Sequence, residues 1–276
     1  MVRLKNLYQK LQMNNILEKI CEDKKIEIEI LKKKCSLNSL KKLLSDKIIK
    51  RDFKNKVINF NKDKKNFIIG EIKKASPSAG QIIENYDPLE IAKIYEKSGI
   101  QAISILTESK YFKGEIDHLS TIKQNTQIPI LRKDFIIDEY QIYESKIYQA
   151  DVILLIVSVL NDDQLKKFVE IANDIKLDCI IETYNEEEIK RALKLNYPII
   201  GINNRNLKNL KTDVINSLNL FKNISKDYTV IAESGIKSTS EIKMYNDFGI
   251  FNFLIGESIL RSDHYDIFIK KLLKNG

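Results

Sequence analysis

Two charged side chains, Glu71 and Lys73, stand where the apolar run at 67–70 gives way to the decapeptide EIKKASPSAG at 71–80. A buried strand gains nothing by ending in a carboxylate and an amine, so this junction points to chemistry as readily as to a solvated strand end. The pattern recurs downstream. Lys133 and Asp134 follow the run at 129–131, and Glu182 follows 179–181. Asn203, Asn204 and Arg205 follow 199–202, and Glu233 and Ser234 follow 229–232. Five strand ends of this kind would crowd like charges and desolvated amines together, which packing alone does not favour.

The elements that must position these groups are legible as an alternation. Short apolar runs rich in β-branched residues fall at 67–71, 102–106, 129–131, 152–157, 179–181, 199–202, 229–232 and 251–255. Between them lie amphipathic stretches that read as helices, one beginning near Pro88, where proline suits a first turn. Others cover 116–123, 138–148, 213–221, 239–248 and 265–273. Asn161 predicts an N-cap followed by Asp162 and Asp163 at the positive helix end, and Asn185 with Glu188 has capping-box spacing. Strands apolar throughout, each followed by a helix, describe a parallel sheet covered on its outer face. Eight such units in about 210 residues predict an α/β fold, a closed (β/α)8 TIM barrel, with the polar strand ends sharing one rim. An open doubly wound sheet is the alternative, but no G-x-G-x-x-G follows the first strand.

Residues 7–50 read as helical, so the expected organisation is a helical N-terminal extension at 1–65 and a barrel at 66–276, together one domain. The charge is uneven along this division. Residues 1–65 carry 19 Lys and Arg against 8 Asp and Glu, more than the whole chain's excess of +8, so the rest is slightly acidic. With no arginine cluster or aromatic ladder beside it, the basic segment reads as a solvated helical face rather than a nucleic-acid site. Two histidines, His118 and His264, make a histidine metal site or a Ser/His triad hard to build. Cys21, Cys35 and Cys179 are widely spaced and read as reduced thiols. No run is long enough to cross a bilayer and residues 1–10 hold no signal-peptide core, so a cytoplasmic protein without membrane or nucleic-acid partners is expected.

Ser234-Gly235 and Gly256 place small residues where backbone N–H groups can approach an anion, and a short helix near Glu257 would aim its positive end there. Loops after the last two strands commonly bind phosphate in such barrels. The Glu257 carboxylate would then have to point away.

At these residues the chain resembles the indole-3-glycerol phosphate synthase family of tryptophan biosynthesis. The resemblance runs from about Ile16 to Arg261 through EIKKASPSAG at 71–80, LTESKYFKG at 106–114, PILRKDFIID at 129–138, GINNRNL at 201–207, AESGI at 232–236 and FLIGESIL at 253–260. It implies a carboxy-lyase that closes 1-(2-carboxyphenylamino)-1-deoxyribulose 5-phosphate to indole-3-glycerol phosphate, losing carbon dioxide and water. It implies no metal or organic cofactor, and a monomer or weak homo-oligomer is expected. By this resemblance Lys133 is the general acid and Lys73 the receptor of the substrate carboxylate and a later proton donor. Glu71 and Glu182 hold the lysines and handle protons, and Asn203, Arg205 and Glu233 position the substrate. Phe112 packs on its aromatic ring, Ser234, Gly235, Gly256 and Glu257 hold the phosphate, and Ser76 helps close the site. Ala79 and Asn206 depart from the family pattern, where lysine and aspartate are frequent. Two other readings compete: an aldolase forming a Schiff base on Lys133, and a catalytically silent barrel whose basic segment binds nucleic acid or an acidic partner.

Overall fold

The computed structural model describes residues 16–44 and 49–274. Eight parallel strands form a closed barrel: β1 Phe67–Ile72, β2 Ala102–Leu106, β3 Ile130–Lys133, β4 Val152–Ile156, β5 Asp178–Thr183, β6 Ile199–Asn203, β7 Thr229–Glu233 and β8 Asn252–Ile255. Each strand pairs with its sequence neighbours, and β8 closes on β1 through Phe67↔Asn252 to Gly70↔Ile255. Helices follow the strands where the caps predict them. Asp87 caps the helix with Pro88 in its first turn, and Asn161 and Ser238 make full capping boxes with Gln164 and Glu241. Each cap satisfies amides that the first helical turn leaves unpaired.

The strand ends differ from expectation by one or two residues, with consequences for the site. The third strand runs to Lys133 rather than stopping at Leu131, so Arg132 and Lys133 belong to the sheet. Glu71 and Glu182 are likewise inside β1 and β5. Period-two alternation then sorts the polar pairs. Register matches Leu106 with Lys133, Glu182 with Gly201 and Asn203 with Glu233, so these share the interior face. Asp134 and Asn204, one residue beyond, turn toward the helices. Asp134 meets Arg132, Thr107 and Lys24, while Asn204 donates to Ser234 O and accepts from Ser217. Both are therefore scaffold groups.

The extension is not one continuous helix. Residues 16–34 form α1 and 37–42 form α2, separated at Ser36, which caps α2. The parts of the expected helix at 7–15 and 45–48 lie outside the described residues. A further helix, α3 Phe53–Lys62, runs beneath the N-terminal strand ends, with Phe53 and Val57 fully buried and Phe53 edge-on to Phe67. The lysine-rich extension is also less solvated than its composition suggests: Lys24 is buried against Asp134, and Lys50 reaches Asp178 at 2.6 Å.

Candidate active site

The barrel opens at its C-terminal rim into a cavity of about 1060 Å³ lined by Glu71, Lys73, Lys133, Glu182, Asn203 and Arg205, with Ser234, Gly235, Gly256 and Glu257 on one side. Lys133 rises from β3 at the cavity floor. Its Nζ lies 3.2 Å from Glu182 Oε2 and 3.3 Å from Glu233 Oε2. Both carboxylates are almost fully buried. Burial disfavours the ammonium, but Glu182, Glu233 and Glu71 outweigh it and raise the Lys133 pKa well above the ordinary lysine value. Lys133 is thus a caged ion rather than the solvated rim amine that a strand-end position suggests.

Glu233 bears the cost of that crowding. Burial, against the pull of Lys133 and with the repulsion of Glu182, pushes its carboxyl up to about 8. Glu71 goes the other way. Burial opposes its charge, yet Lys73 and Lys133 outweigh burial and hold the carboxyl below the ordinary range. Lys73 is paired directly with Glu71.

Around this centre the loops supply the walls. Phe112 stands at the mouth, its ring tilted 42° to that of Phe135 with centroids 6.2 Å apart, and Glu108 holds its loop by accepting the amides of Lys110, Tyr111 and Phe112. Arg205 crosses the opening to Ser78 of the first loop, while Ser76 is buried and accepts from the Ala79 amide. At Asn206 the amide oxygen accepts from the amides of Lys208 and Asn209, as an aspartate would. Ser234 and Gly235 take successive positive φ angles of 69° and 84°, and the Thr212 and Val214 side chains fill the space beside Gly235. The Glu257 carboxylate is held by Arg261 at 3.0 Å and also faces Arg205, which lines the cavity, at 3.8 Å.

Some lining groups escape a reading of the sequence. Phe135 adds a second aromatic wall, and Leu17 and Ile20 bring α1 over the cavity. The stripe Leu17, Ile20, Lys24, Ile28 is buried, and a lysine inside an apolar stripe was the available signal that α1 docks through charge.

A parallel barrel whose rim holds a caged lysine, a second lysine and three carboxylates defines a (β/α)8-barrel enzyme of acid–base chemistry. The profile described as Indole-3-glycerol phosphate synthase matches residues 17–272, and the chain belongs to that family. It is 51% identical over 207 residues to the indole-3-glycerol phosphate synthase of Caldanaerobacter subterraneus subsp. tengcongensis, covering 74% of this chain and 80% of the relative. It is 43% identical over 261 residues to that of Legionella pneumophila (strain Paris), covering 95% and 99%. Among solved structures, KGPDC from Streptococcus mutans superposes with a TM-score of 0.58 at 13% identity over 76% of this chain and 97% of the other, a likeness of fold. The family's reaction is the decarboxylating, dehydrating ring closure of 1-(2-carboxyphenylamino)-1-deoxyribulose 5-phosphate, so the chain is a carboxy-lyase acting on a phosphorylated small molecule. Among the described residues no helix is long and apolar enough to cross a membrane.

Proposed function

We propose that Lys133 is the general acid of this ring closure, protonating the ketone oxygen as the aromatic carbon attacks. The observation that carries the assignment is the cage of Glu182 and Glu233 around an amine at the cavity floor. An ammonium held protonated there stabilises the forming alkoxide before donating to it. The same cage disfavours the Schiff-base alternative, which needs a neutral amine.

Lys73 receives the substrate carboxylate. In doing so it is drawn from Glu71, and it later protonates the departing hydroxyl. Glu182 orients Lys133 and takes the proton released as the indole aromatises. Asn203, Arg205 and Glu233 position the anthranilate and sugar parts, Phe112 stacks on the ring, and Ser76 closes the first loop. The phosphate sits against Ser234, Gly235, Gly256 and the Glu257 amide. Carbon–carbon bond formation with loss of carbon dioxide and water changes no net oxidation state of the reactants and products, so the scheme is complete without an electron carrier. Extension and barrel act as one domain in this reading, in a cytoplasmic monomer or weak homo-oligomer.

The test is purified protein with the synthetic carboxyphenylamino substrate, followed by indole fluorescence. Lys133→Met is expected to lower kcat by roughly 10²–10⁴-fold while circular dichroism stays native. Retained turnover in a folded Lys133→Met variant would remove Lys133 from the role.

A further inference from the structure

Gly201 sits in the middle of β6, where glycine weakens a strand and offers nothing to pack. Its backbone does not ask for glycine. The ladder is regular on both sides, with Glu182↔Gly201 toward β5 and Gly201↔Ile231 toward β7, and its φ is not among the positive ones. What occupies the space of the missing side chain is Glu233. A Cβ built at Gly201 would overlap Glu233 Oε1 and lie 3.3 Å from Glu233 Cδ, with Ile180 Cγ2 at 3.0 Å. Glu233, two residues beyond Ile231 on the interior face of β7, leans across β6 into this gap. Other glycines give way to scaffold: the space beside Gly70 holds the Tyr95 ring, and that beside Gly114 the backbone of Leu106.

We propose that Gly201 is a positioning residue, its absent side chain forming a notch that seats one oxygen of Glu233 so that the other meets Lys133. The seated oxygen, Oε1, is buried and has no hydrogen-bond partner among the described residues, so shape holds it there in place of a donor. The opposite oxygen, Oε2, is the one 3.3 Å from Lys133 Nζ. Because Gly201 is in register with Glu182, the notch also sets how Glu233 stands relative to the other carboxylate on Lys133. Beyond β8, Gly256 likewise leaves room for Glu71, where a Cβ would meet Glu71 Oε1 at 2.6 Å and Glu71 Cβ at 2.8 Å, although there the seated oxygen is itself the one paired with Lys73. Gly256 therefore serves a carboxylate as well as any approaching anion.

This inference rests on the reading that the Lys133 cage acts on substrate, and a mutant cycle separates the two. Gly201→Ala, Glu233→Ala and the double variant are compared for kcat, KM, melting temperature and pH profile, with a crystal structure of Gly201→Ala. A methyl group at the notch expels the carboxylate, which can swing away without disturbing the strand. Gly201→Ala should thus lower kcat on the order of 10²-fold, as a displacement near 1 Å at a reacting centre does. In the Glu233→Ala background the added methyl should change kcat by less than about twofold, since only the Ile180 methyl at 3.0 Å remains to adjust and it lies outside the Lys133 cage. In the Gly201→Ala crystal Glu233 should have left Lys133. Full turnover by Gly201→Ala, an equal further loss in both backgrounds, or an undisplaced Glu233 would overturn the proposal. If Glu233→Ala itself kept full kcat, the catalytic reading of the cage would fail, and the position of Glu233 in the Gly201→Ala crystal would still decide the notch.

Discussion

Three carboxylates surround Lys133, and they hold its proton so firmly that it does not titrate in the working range of an enzyme. The group that does titrate there is Glu233, with its carboxyl at about 8. Below that value the Glu182–Glu233 pair keeps a proton and one negative charge. Above it a second charge appears, facing a substrate that carries a carboxylate and a phosphate. We therefore expect kcat/KM to fall as pH rises through about 8, and the fall to vanish in Glu233→Gln, whose amide cannot ionise. A limb unchanged in Glu233→Gln, measured over a pH series at constant ionic strength, would assign it to another group. The sign for stability follows from the same shift. The folded chain binds this proton more tightly than the unfolded chain, so Glu233 weakens the fold as pH rises from the ordinary carboxylate range to about 8.

At the scale of elements, α1 acts as a tie across two active-site loops. Asp23 accepts from Lys110 Nζ at 2.8 Å and Tyr111 Oη at 2.5 Å in the loop after β2, and Lys24 meets Asp134, next to Lys133, at 3.2 Å. Burial opposes charge on Asp134, but Lys24, Arg132 and the donors Thr107 and Phe135 N hold its carboxyl down to about 2. That stability is present above the ordinary carboxylate range and is lost as pH falls toward 2. Lys24→Met leaves Arg132 as the remaining cation, so its cost should fall at the low end for a broken buried pair, about 3 kcal/mol by urea unfolding. Acid unfolding should also begin at higher pH than in the parent. An unchanged urea midpoint would mean that α1 docks by its apolar stripe alone. The eight strands were readable from sequence because each is a short apolar run between amphipathic stretches, several of them with capping residues. The direction of the polar side chains was not, because alternation applies only once the strand is known to include Lys133. The helix at 53–62 was hidden for a related reason, since only Phe53 and Val57 are buried in a lysine-rich stretch. The Gly201 notch depends on a diagonal contact between neighbouring strands that no linear spacing reveals.

The whole molecule divides its charges between two rims. At the C-terminal rim carboxylates are crowded and one oxygen of Glu233 lacks a partner among the described residues. At the N-terminal rim the buried carboxylates Asp151 and Asp178 are answered. Asp151, fully buried, accepts from Arg51 N at 2.7 Å and Ile130 N at 2.9 Å and pairs with Lys123, while Asp178 takes Lys50 at 2.6 Å and Lys54 N at 3.0 Å. The Arg51 guanidinium reaches the carbonyls of Lys123, Thr126 and Ile128. These contacts rivet the segment ahead of α3 under the barrel, far from the cavity, as a division between function at one face and stability at the other requires. Asp151→Ala removes the acceptor of two backbone amides and strands Lys123. Burial already pushes the Lys123 amine down, so it can shed its proton, and the loss should be about 3 kcal/mol, roughly 6–12 °C in melting temperature. Turnover per folded molecule, assayed well below the transition, should stay near that of the parent. Glu233→Gln should show the converse above pH 8, a melting temperature held or raised where the parent has gained its second buried charge, with the change in function confined to the pH limb of kcat/KM. Parallel loss of kcat and stability in Asp151→Ala would mean that the strap beneath the barrel also sets the geometry above it.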